Sequence, residues 1–221
     1  DLRLREDIPL KVLAHFEPEE EFVLGPGDML YLPPRYAHDG VAEGECMTYS
    51  IGFRAPQRRE LAQELLVRVA ESAAEQEAPE HRYRDAGQQA AVHPAAMPEE
   101  LQQFAHAAVQ RALAQPWILE RALGEYLSEP KPSVWFEPTV GGIVQAGVVL
   151  DRRTRMLYDA HHVFINGESY LAAGRDASLM RRLADARRLQ AHELARASKE
   201  ALELLASWCE AGWAHVCGDE E

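Results

Sequence analysis

The middle of the chain carries apolar residues at helical spacing. In residues 58–77, apolar side chains recur three or four positions apart and predict a helix with one apolar stripe. The residues of this stripe are Leu61, Leu65, Leu66, Val69 and Ala73. Residues 100–114, which follow Pro98 at a first-turn position, predict a second helix. Residues 117–127 predict a third.

The pattern changes beyond a proline-rich stretch at residues 130–138, which holds Pro130, Pro132 and Pro138. Four short apolar runs follow and predict strands at residues 148–150, 155–158, 162–165 and 168–171. Asn166-Gly167 stands between the last two runs and suits the positive φ values of a type I′ turn, so it predicts a hairpin. Two further helices are predicted at residues 177–187 and 193–211.

Near the start of the chain, turn residues and short apolar runs predict strands. Pro26-Gly27 suits the two central positions of a type II turn, since proline fixes φ and glycine accepts a positive φ. Residues 29–32 then form an apolar run that Pro33-Pro34 must end, because proline cannot donate to a strand ladder. A second turn there would present His38 on the next strand.

A strand with two unlike faces is predicted at residues 47–53. Strict alternation puts one apolar set on one face, namely Met47, Tyr49, Ile51 and Phe53. The opposite face carries Thr48, Ser50 and Gly52 and is small and hydroxylic. Its hydroxyl groups can line a pocket beside His38, or they can satisfy the backbone of a neighbouring segment.

The spacing Gly27-x5-Pro33-x4-His38 resembles the second conserved motif of the cupin superfamily, whose last histidine is a metal ligand. The glycine usual between the proline and the histidine is Arg35 here. The longer string GDMLYLPPRYAHDGVAEGECMTYSIGFRAP, residues 27–56, resembles the bacterial JmjC-type ribosomal oxygenases, which hydroxylate an arginine of large-subunit ribosomal protein sixteen. The resemblance continues through residues 93–104 and, more weakly, through the last ninety residues.

This resemblance implies an α+β chain in three parts. Residues 1–56 would form the C-terminal part of a JmjC-type cupin barrel, a double-stranded β-helix. Residues 57–130 would form a helical segment that pairs two subunits into a homodimer, with a three-helix pack inside one chain as the alternative. Residues 131–221 would form a winged-helix-like domain.

The resemblance also implies the cofactors Fe(II) and 2-oxoglutarate. In that family a His-x-Asp pair and a distal histidine hold the iron and leave positions open for 2-oxoglutarate and oxygen. His38 matches the distal histidine, and Thr48 and Ser50 are the candidate contacts of 2-oxoglutarate. The His-x-Asp pair would lie before Asp1, so the chain resembles an enzyme cut through its active site. No residue of this chain is assigned a catalytic role, and we expect the chain alone to be inactive.

The sequence His15-Phe16-Glu17 matches a His-x-Glu motif and is an alternative candidate for the pair of metal ligands. It precedes His38 by barely one hairpin, and the resemblance places it in a connecting segment rather than on the earlier strands. The neighbouring acidic run, Glu19 to Glu21, is typical of a solvated loop. We therefore reject it as the metal pair. Four other histidine positions are typical of packed or surface histidines. His106 stands among alanines in a predicted helix, His161-His162 open a predicted strand, and His192 and His215 have no carboxylate or thiol at ligand spacing.

Composition narrows the class of protein. The chain has 221 residues and a net charge of −13, with no apolar run long enough to span a membrane. Three cysteines without a Cys-x-x-Cys pair favour a reducing cytoplasm over a disulfide framework. Residues 1–132 hold 13 Lys and Arg against 23 Asp and Glu, and this acidic surface suits a basic ribosomal protein partner. It also suits a surface kept only for solubility.

Nucleic acid is an unfavourable partner for the closing domain. Four arginines lie at helical spacing there, Arg181, Arg182, Arg187 and Arg188, but residues 133–221 hold ten Lys and Arg against thirteen Asp and Glu. The leading function, which the resemblance implies for the parent protein, is a 2-oxoglutarate-dependent protein hydroxylase. The alternatives are a ligand-responsive regulator made of a cupin and a winged helix, and a scaffold that has lost its metal.

Overall fold

The structure is a computed structural model that describes residues 3–9, 11–52, 55–75, 82–89, 92–138 and 144–217. The chain divides into two compact units, residues 1–54 and residues 55–221. None of the helices in the described part is long and apolar enough to cross a membrane.

The first unit is made of turns and extended backbone. In the part that the structure describes, its strand pairing is limited to one isolated bridge between Leu4 and Leu13. The predicted strands at residues 29–32 and 47–53 are absent, although Phe53 lies outside the described residues. Met29 is 88% exposed and Tyr49 is 82% exposed. An extended segment becomes a strand only when a second segment completes its ladder of hydrogen bonds, and the described residues of this unit do not provide one.

Three helices open the second unit and match the predicted ones closely. They are α1 (Arg58–Glu75), α2 (Glu99–Leu113) and α3 (Ile118–Ser128). Helix α1 packs against both α2 and α3. Arg121 of α3 donates to Ser72 Oγ of α1 at 2.7 Å, and Val69 is buried. Within one chain, α1 therefore packs against both of the other helices, although α2 buries none of its residues.

The remaining part combines two antiparallel three-stranded sheets with three helices. In chain order its elements are β1 (Gly147–Leu150), β2 (Met156–Tyr158), β3 (His162–Ile165), β4 (Glu168–Leu171), α4 (Gly174–Ala186), β5 (Arg188–Gln190), α5 (Ala191–Leu194), α6 (Lys199–Glu210) and β6 (Ala214–Val216). One sheet has the order β5-β1-β6 and the other the order β2-β3-β4. Asn166 and Gly167 have φ values of 48° and 92°, so the type I′ hairpin is confirmed.

The single helix predicted at residues 193–211 is wrong, because two helices occupy this range. Helix α5 ends at Leu194, and α6 starts after Ser198, whose side chain accepts a hydrogen bond from the backbone of Ala201 at 3.1 Å. A serine in this position satisfies one of the free N–H groups of a new helix. The three-residue strands β5 and β6 were not predicted.

The core of the second unit lies where the two sheets meet α4 and α6. Its largest fully buried side chains include Trp208, Ile165, Leu183, Leu189 and Leu205. Helix α3 extends this packing, because it lies against β2, β3 and β4. The backbone N–H of Gly167 donates to Ser128 Oγ at 3.1 Å, which ties the hairpin turn to the end of α3.

Candidate functional site

Two tight turns frame the segment that leads to His38. Asp28 N donates to Gly25 O at 3.1 Å across Pro26-Gly27, and Gly27 has a φ of 94°. Because proline stands at the second position and φ is positive at the third, this turn is the predicted type II turn. The Asp28 carboxylate reinforces the turn by accepting a hydrogen bond from Gly25 N at 2.8 Å.

The second turn has the same construction. Tyr36 N donates to Pro33 O at 3.2 Å, with Pro34 at the second position and Arg35 at the third. Arg35 has a φ of 73°, in the left-handed region that favours glycine. The structure therefore explains why related motifs have glycine here: the turn needs a positive φ, and this chain places an arginine there at some cost in backbone strain.

His38 follows the second turn by two residues and is exposed. Its Nδ1 lies 3.3 Å from the backbone oxygen of Tyr36. A carbonyl oxygen can only accept, so Nδ1 donates in this contact and Nε2 keeps the lone pair that a metal ion requires. This contact favours the tautomer in which His38 would bind a metal ion through Nε2.

The other proposed site residues are not gathered around His38 by a sheet. Thr48 and Ser50 lie in a segment without regular secondary structure and are exposed, because no strand forms at the described residues 47–52. Two pockets in the second unit are lined by other residues. Among the described residues, no group of three or more His, Cys, Asp or Glu side chains could hold a metal ion.

The rejected pair His15-Phe16-Glu17 is a local, solvent-facing contact. His15 Nε2 lies 2.9 Å from Glu17 Oε1, and their side chains are 69% and 84% exposed. The two groups face each other at the surface, as expected for an exposed side-chain pair. No other described residue joins them as a third ligand.

The closing domain contains a carboxylate–histidine pair that the spacing of residues along the sequence did not predict. His215 Nε2 donates to Asp151 Oδ2 at 3.0 Å, although 64 positions separate the two residues. Asp151 also accepts from the backbone and the guanidinium of Arg153, at 2.8 to 3.0 Å. The hydrogen bonds from Arg153, followed by the one from His215, hold the pKa of Asp151 well below its ordinary value against the opposing effect of burial. The pairing of β1 with β6 brings these residues together.

The arginine cluster of the closing domain is largely engaged inside the fold. Arg187 donates to the backbone oxygens of Asp151 and Thr154, at 2.7 Å and 3.1 Å. Arg181 donates to Ala160 O at 2.9 Å and lies over the ring of Tyr158. The remaining two members are Arg182, which pairs with Glu193, and Arg188, which is exposed on β5. The phosphates of a nucleic acid would have to compete with these protein partners for three of the four guanidinium groups.

Two family models match parts of this chain. A JmjC domain matches residues 1–61, and a ROXA-like winged helix matches residues 110–215. The first match includes His38 and both turns. The second match includes α3 together with the two sheets.

Two curated proteins are similar to this chain. The ribosomal protein uL16 3-hydroxylase of Escherichia coli is 29% identical over 181 residues, which cover 76% of this chain and 47% of that protein. A probable ribosomal oxygenase of Haemophilus influenzae is 59% identical over 34 residues, or 15% of this chain and 8% of that protein. The chain spans about half the length of the E. coli relative.

Solved structures of the E. coli ribosomal oxygenase YcfD share the fold. The complex of YcfD with cobalt and 2-oxoglutarate superposes with a TM-score of 0.59 at 22% identity, over 76% of this chain and 48% of YcfD. The complex with cobalt and succinic acid gives a TM-score of 0.57 over the same shares. At this level of identity the similarity shows the fold alone. The matches confirm the predicted fold class, a JmjC cupin part followed by a winged helix.

Proposed function

This chain is a homologue of the JmjC-containing ribosomal oxygenases, and from that premise we propose that it acts as the C-terminal part of a protein hydroxylase. The proposed enzyme depends on Fe(II) and 2-oxoglutarate and hydroxylates an arginine of a large-subunit ribosomal protein. The observation that carries the proposal is His38, which stands directly after two type II turns inside the JmjC match.

His38 is proposed to supply one iron ligand through Nε2. Its Nδ1 contact with Tyr36 O supports this assignment, because a metal-binding histidine generally donates its other ring N–H to a carbonyl or a carboxylate. His38 would fill one position of a two-histidine, one-carboxylate set, and no described residues beside it complete the set. We propose that a His-x-Asp pair on strands upstream of this chain supplies the other two ligands.

Thr48 and Ser50 are proposed to hold a carboxylate of 2-oxoglutarate. Hydroxyl groups can donate to a carboxylate, and strand alternation puts both of them on one face. Upstream strands would complete the ladder that residues 29–32 and 47–53 lack here. Their pairing would bury the exposed side chains of Met29, Met47, Tyr49 and Ile51.

The proposed chemistry explains why the 221-residue chain should be inactive alone. Iron with 2-oxoglutarate, when bound, supplies the activation of oxygen that hydroxylation of a C–H bond needs. A single imidazole cannot hold a labile divalent ion against water. The chain contributes His38, the hydroxyl face and an acidic surface that attracts a basic substrate protein.

The test compares the 221-residue chain with a protein extended upstream to include the His-x-Asp pair. We expect the extended protein to release succinate from 2-oxoglutarate and to hydroxylate an arginine in a basic ribosomal peptide, and the short chain to do neither. Mass spectrometry locates the added oxygen. Robust turnover by the short chain would show that the missing ligands are inside it.

Two histidine variants of the extended protein form a matched pair. His38→Ala should abolish metal binding and hydroxylation while circular dichroism stays unchanged, whereas His15→Ala should leave both activities intact. His15 is an exposed histidine of the same unit, so it controls for the loss of an imidazole. The opposite result, with iron lost in His15→Ala, would make His15-Phe16-Glu17 the metal pair.

A ligand-responsive regulator is the main competing function. It requires a basic surface that reads DNA, and three arginines of the cluster are engaged within the fold. This engagement favours a protein-contact role for the closing domain over a DNA-reading role.

A further inference from the structure

A cavity of about 190 Å³ opens between β4, the start of α4 and the start of α6. Buried apolar side chains form its inner wall, and they include Val163, Met180 and Trp208. Leu171, at the end of β4, lines the outer part and is 75% exposed. The cavity is therefore an apolar depression in the second unit that continues onto an exposed apolar residue.

The size of the cavity suits one side chain. Pockets for drug-sized ligands and cofactors usually measure about 300–1,000 Å³, and this one is smaller. Its inner wall belongs to the packed core, so its shape is set before anything binds. An aliphatic side chain of a partner polypeptide is an occupant of the right size and polarity.

The charged residues around the cavity determine which charge the partner must carry. The charged residues among those lining it are Asp176 and Glu200, and both are acidic. Tyr170 also lines the cavity, and its hydroxyl donates to the carboxylate of Glu168, which adds a third acid beside it. Burial, followed by this hydrogen bond, raises the pKa of Tyr170, so its hydroxyl remains a neutral donor at physiological pH.

We propose that this cavity is a docking site for a basic polypeptide segment, which inserts one aliphatic side chain and places lysine or arginine against Asp176, Glu200 and Glu168. The three carboxylates attract such a segment before contact, and the apolar cavity sets its register. Nucleic acid is the wrong partner for this surface, because three carboxylates repel phosphate. The docking site does not depend on the hydroxylase activity proposed above, since it lies in the closing domain and binds without chemistry.

Titration of the 221-residue chain with short peptides tests the proposal by nuclear magnetic resonance. The probe is acetyl-Lys-Lys-Leu-Lys-Lys-amide, and its matched controls replace Leu by Ala or all four Lys by Glu. The indole N–H of Trp208 reports on the cavity wall, and Trp135, which is 69% exposed elsewhere, is the internal reference. We expect the Leu peptide to shift the Trp208 signal and both control peptides to shift it far less.

Two charge-reversal variants on the same helix place the binding at the cavity. Glu200→Lys should weaken binding of the Leu peptide about fivefold, the scale of one exposed ion pair lost. Glu210→Lys reverses an exposed charge at the far end of α6 and should leave binding unchanged. Filling the cavity with Ala201→Leu should abolish binding if the variant folds. Equal binding of the Leu and Ala peptides, an unmoved Trp208 signal, or equal effects of the two reversals would overturn the proposal.

Discussion

The ring of Phe164 lies directly against the backbone of Gly124. A Cβ atom built at Gly124 would lie only 2.3 Å from the nearest ring carbon, well inside contact distance. Gly124 is on α3 and Phe164 is on β3, so this close approach sets the distance between the helix and the sheet. A glycine within a helix is normally a weak point, and here it is what allows the two elements to pack.

Gly124→Ala should therefore destabilise the fold. Helix propensity alone favours alanine over glycine by about 1 kcal/mol, whereas overpacking a core costs about 1–3 kcal/mol. We expect the clash to win, with a net loss of about 1 kcal/mol in the free energy of unfolding in urea. In a double-mutant cycle, Phe164→Leu should relieve the clash, so the two changes together should cost less than their sum. A stabilised Gly124→Ala protein would contradict the packing described here.

Because of Asp151, we expect the free energy of unfolding of this chain to fall in acid. The folded pKa of this carboxyl is depressed, so its contribution is present above the unfolded value of about 4 and is lost as the pH falls towards the folded value. Asp151→Asn should lower the free energy of unfolding by about 1–3 kcal/mol at pH 7, because its amide cannot accept all the bonds from Arg153 and His215.

The measurement is urea unfolding of the chain and of Asp151→Asn between pH 3 and pH 7. The difference between the two proteins should shrink as the pH falls below about 4, since the unfolded chain then takes up a proton at Asp151 while the folded chain keeps the charge. Glu210→Gln, at an exposed position on α6, is the control and should give a small and pH-independent difference. A constant difference for Asp151→Asn would show that its charge does not stabilise the fold.

Duplex DNA should bind this chain weakly. Non-specific binding comes from lysine and arginine that neutralise phosphates, and Arg187, Arg181 and Arg182 are already engaged. We expect a Kd weaker than about 1 µM at about 150 mM salt in a fluorescence titration with labelled duplex.

A variant that frees one arginine tests whether this engagement limits DNA binding. Glu193→Gln frees Arg182 from its carboxylate partner while keeping, at the third position of α5, a side chain that can accept the hydrogen bond from the backbone of Gln190. Affinity should rise, and the salt slope should steepen by about one phosphate contact. Sequence-selective binding by the unaltered chain in the range of about 10⁻⁸ M or tighter would instead favour the regulator.

A homodimer through the helices between residues 58 and 127 stays a prediction. The apolar stripe that predicts the dimer is partly covered by other residues of the same chain, since Val69 is buried and Leu61 and Leu65 are half-buried. Exposed apolar residues remain on the same helices, with Val67 50% exposed and Val109 59% exposed. An apolar patch of this kind favours association.

Light scattering of the extended protein should give twice its single-chain mass. The double variant Val67→Glu and Val109→Glu should give the monomer mass, because a charge in each apolar position opposes burial. Leu171→Glu, which changes an exposed apolar residue on β4, is the control and should remain dimeric. A monomeric unaltered protein at micromolar concentration would rule the dimer out.

Local chemistry was readable from the sequence wherever a few neighbouring residues decide the conformation. Asn166-Gly167 and Pro26-Gly27 each restrict φ within their own residues, so both turns are present as predicted. The helices α1, α2 and α3 were found within two residues at each described end, because an apolar stripe at helical spacing is a property of the segment itself. The metal-ligand role proposed for His38 rests on a resemblance to a motif of equally local spacing and stays a prediction.

Only the tertiary structure decided the features that need a distant partner. Strands β5 and β6 are three residues each and exist because both pair with β1, and Asp151 meets His215 through the same sheet. Residues 29–32 and 47–52 show the reverse, since their apolar pattern is that of a strand but no described residue of the first unit pairs with them. A turn or a helix satisfies its backbone within one segment, whereas a strand must find its hydrogen bonds elsewhere in the chain.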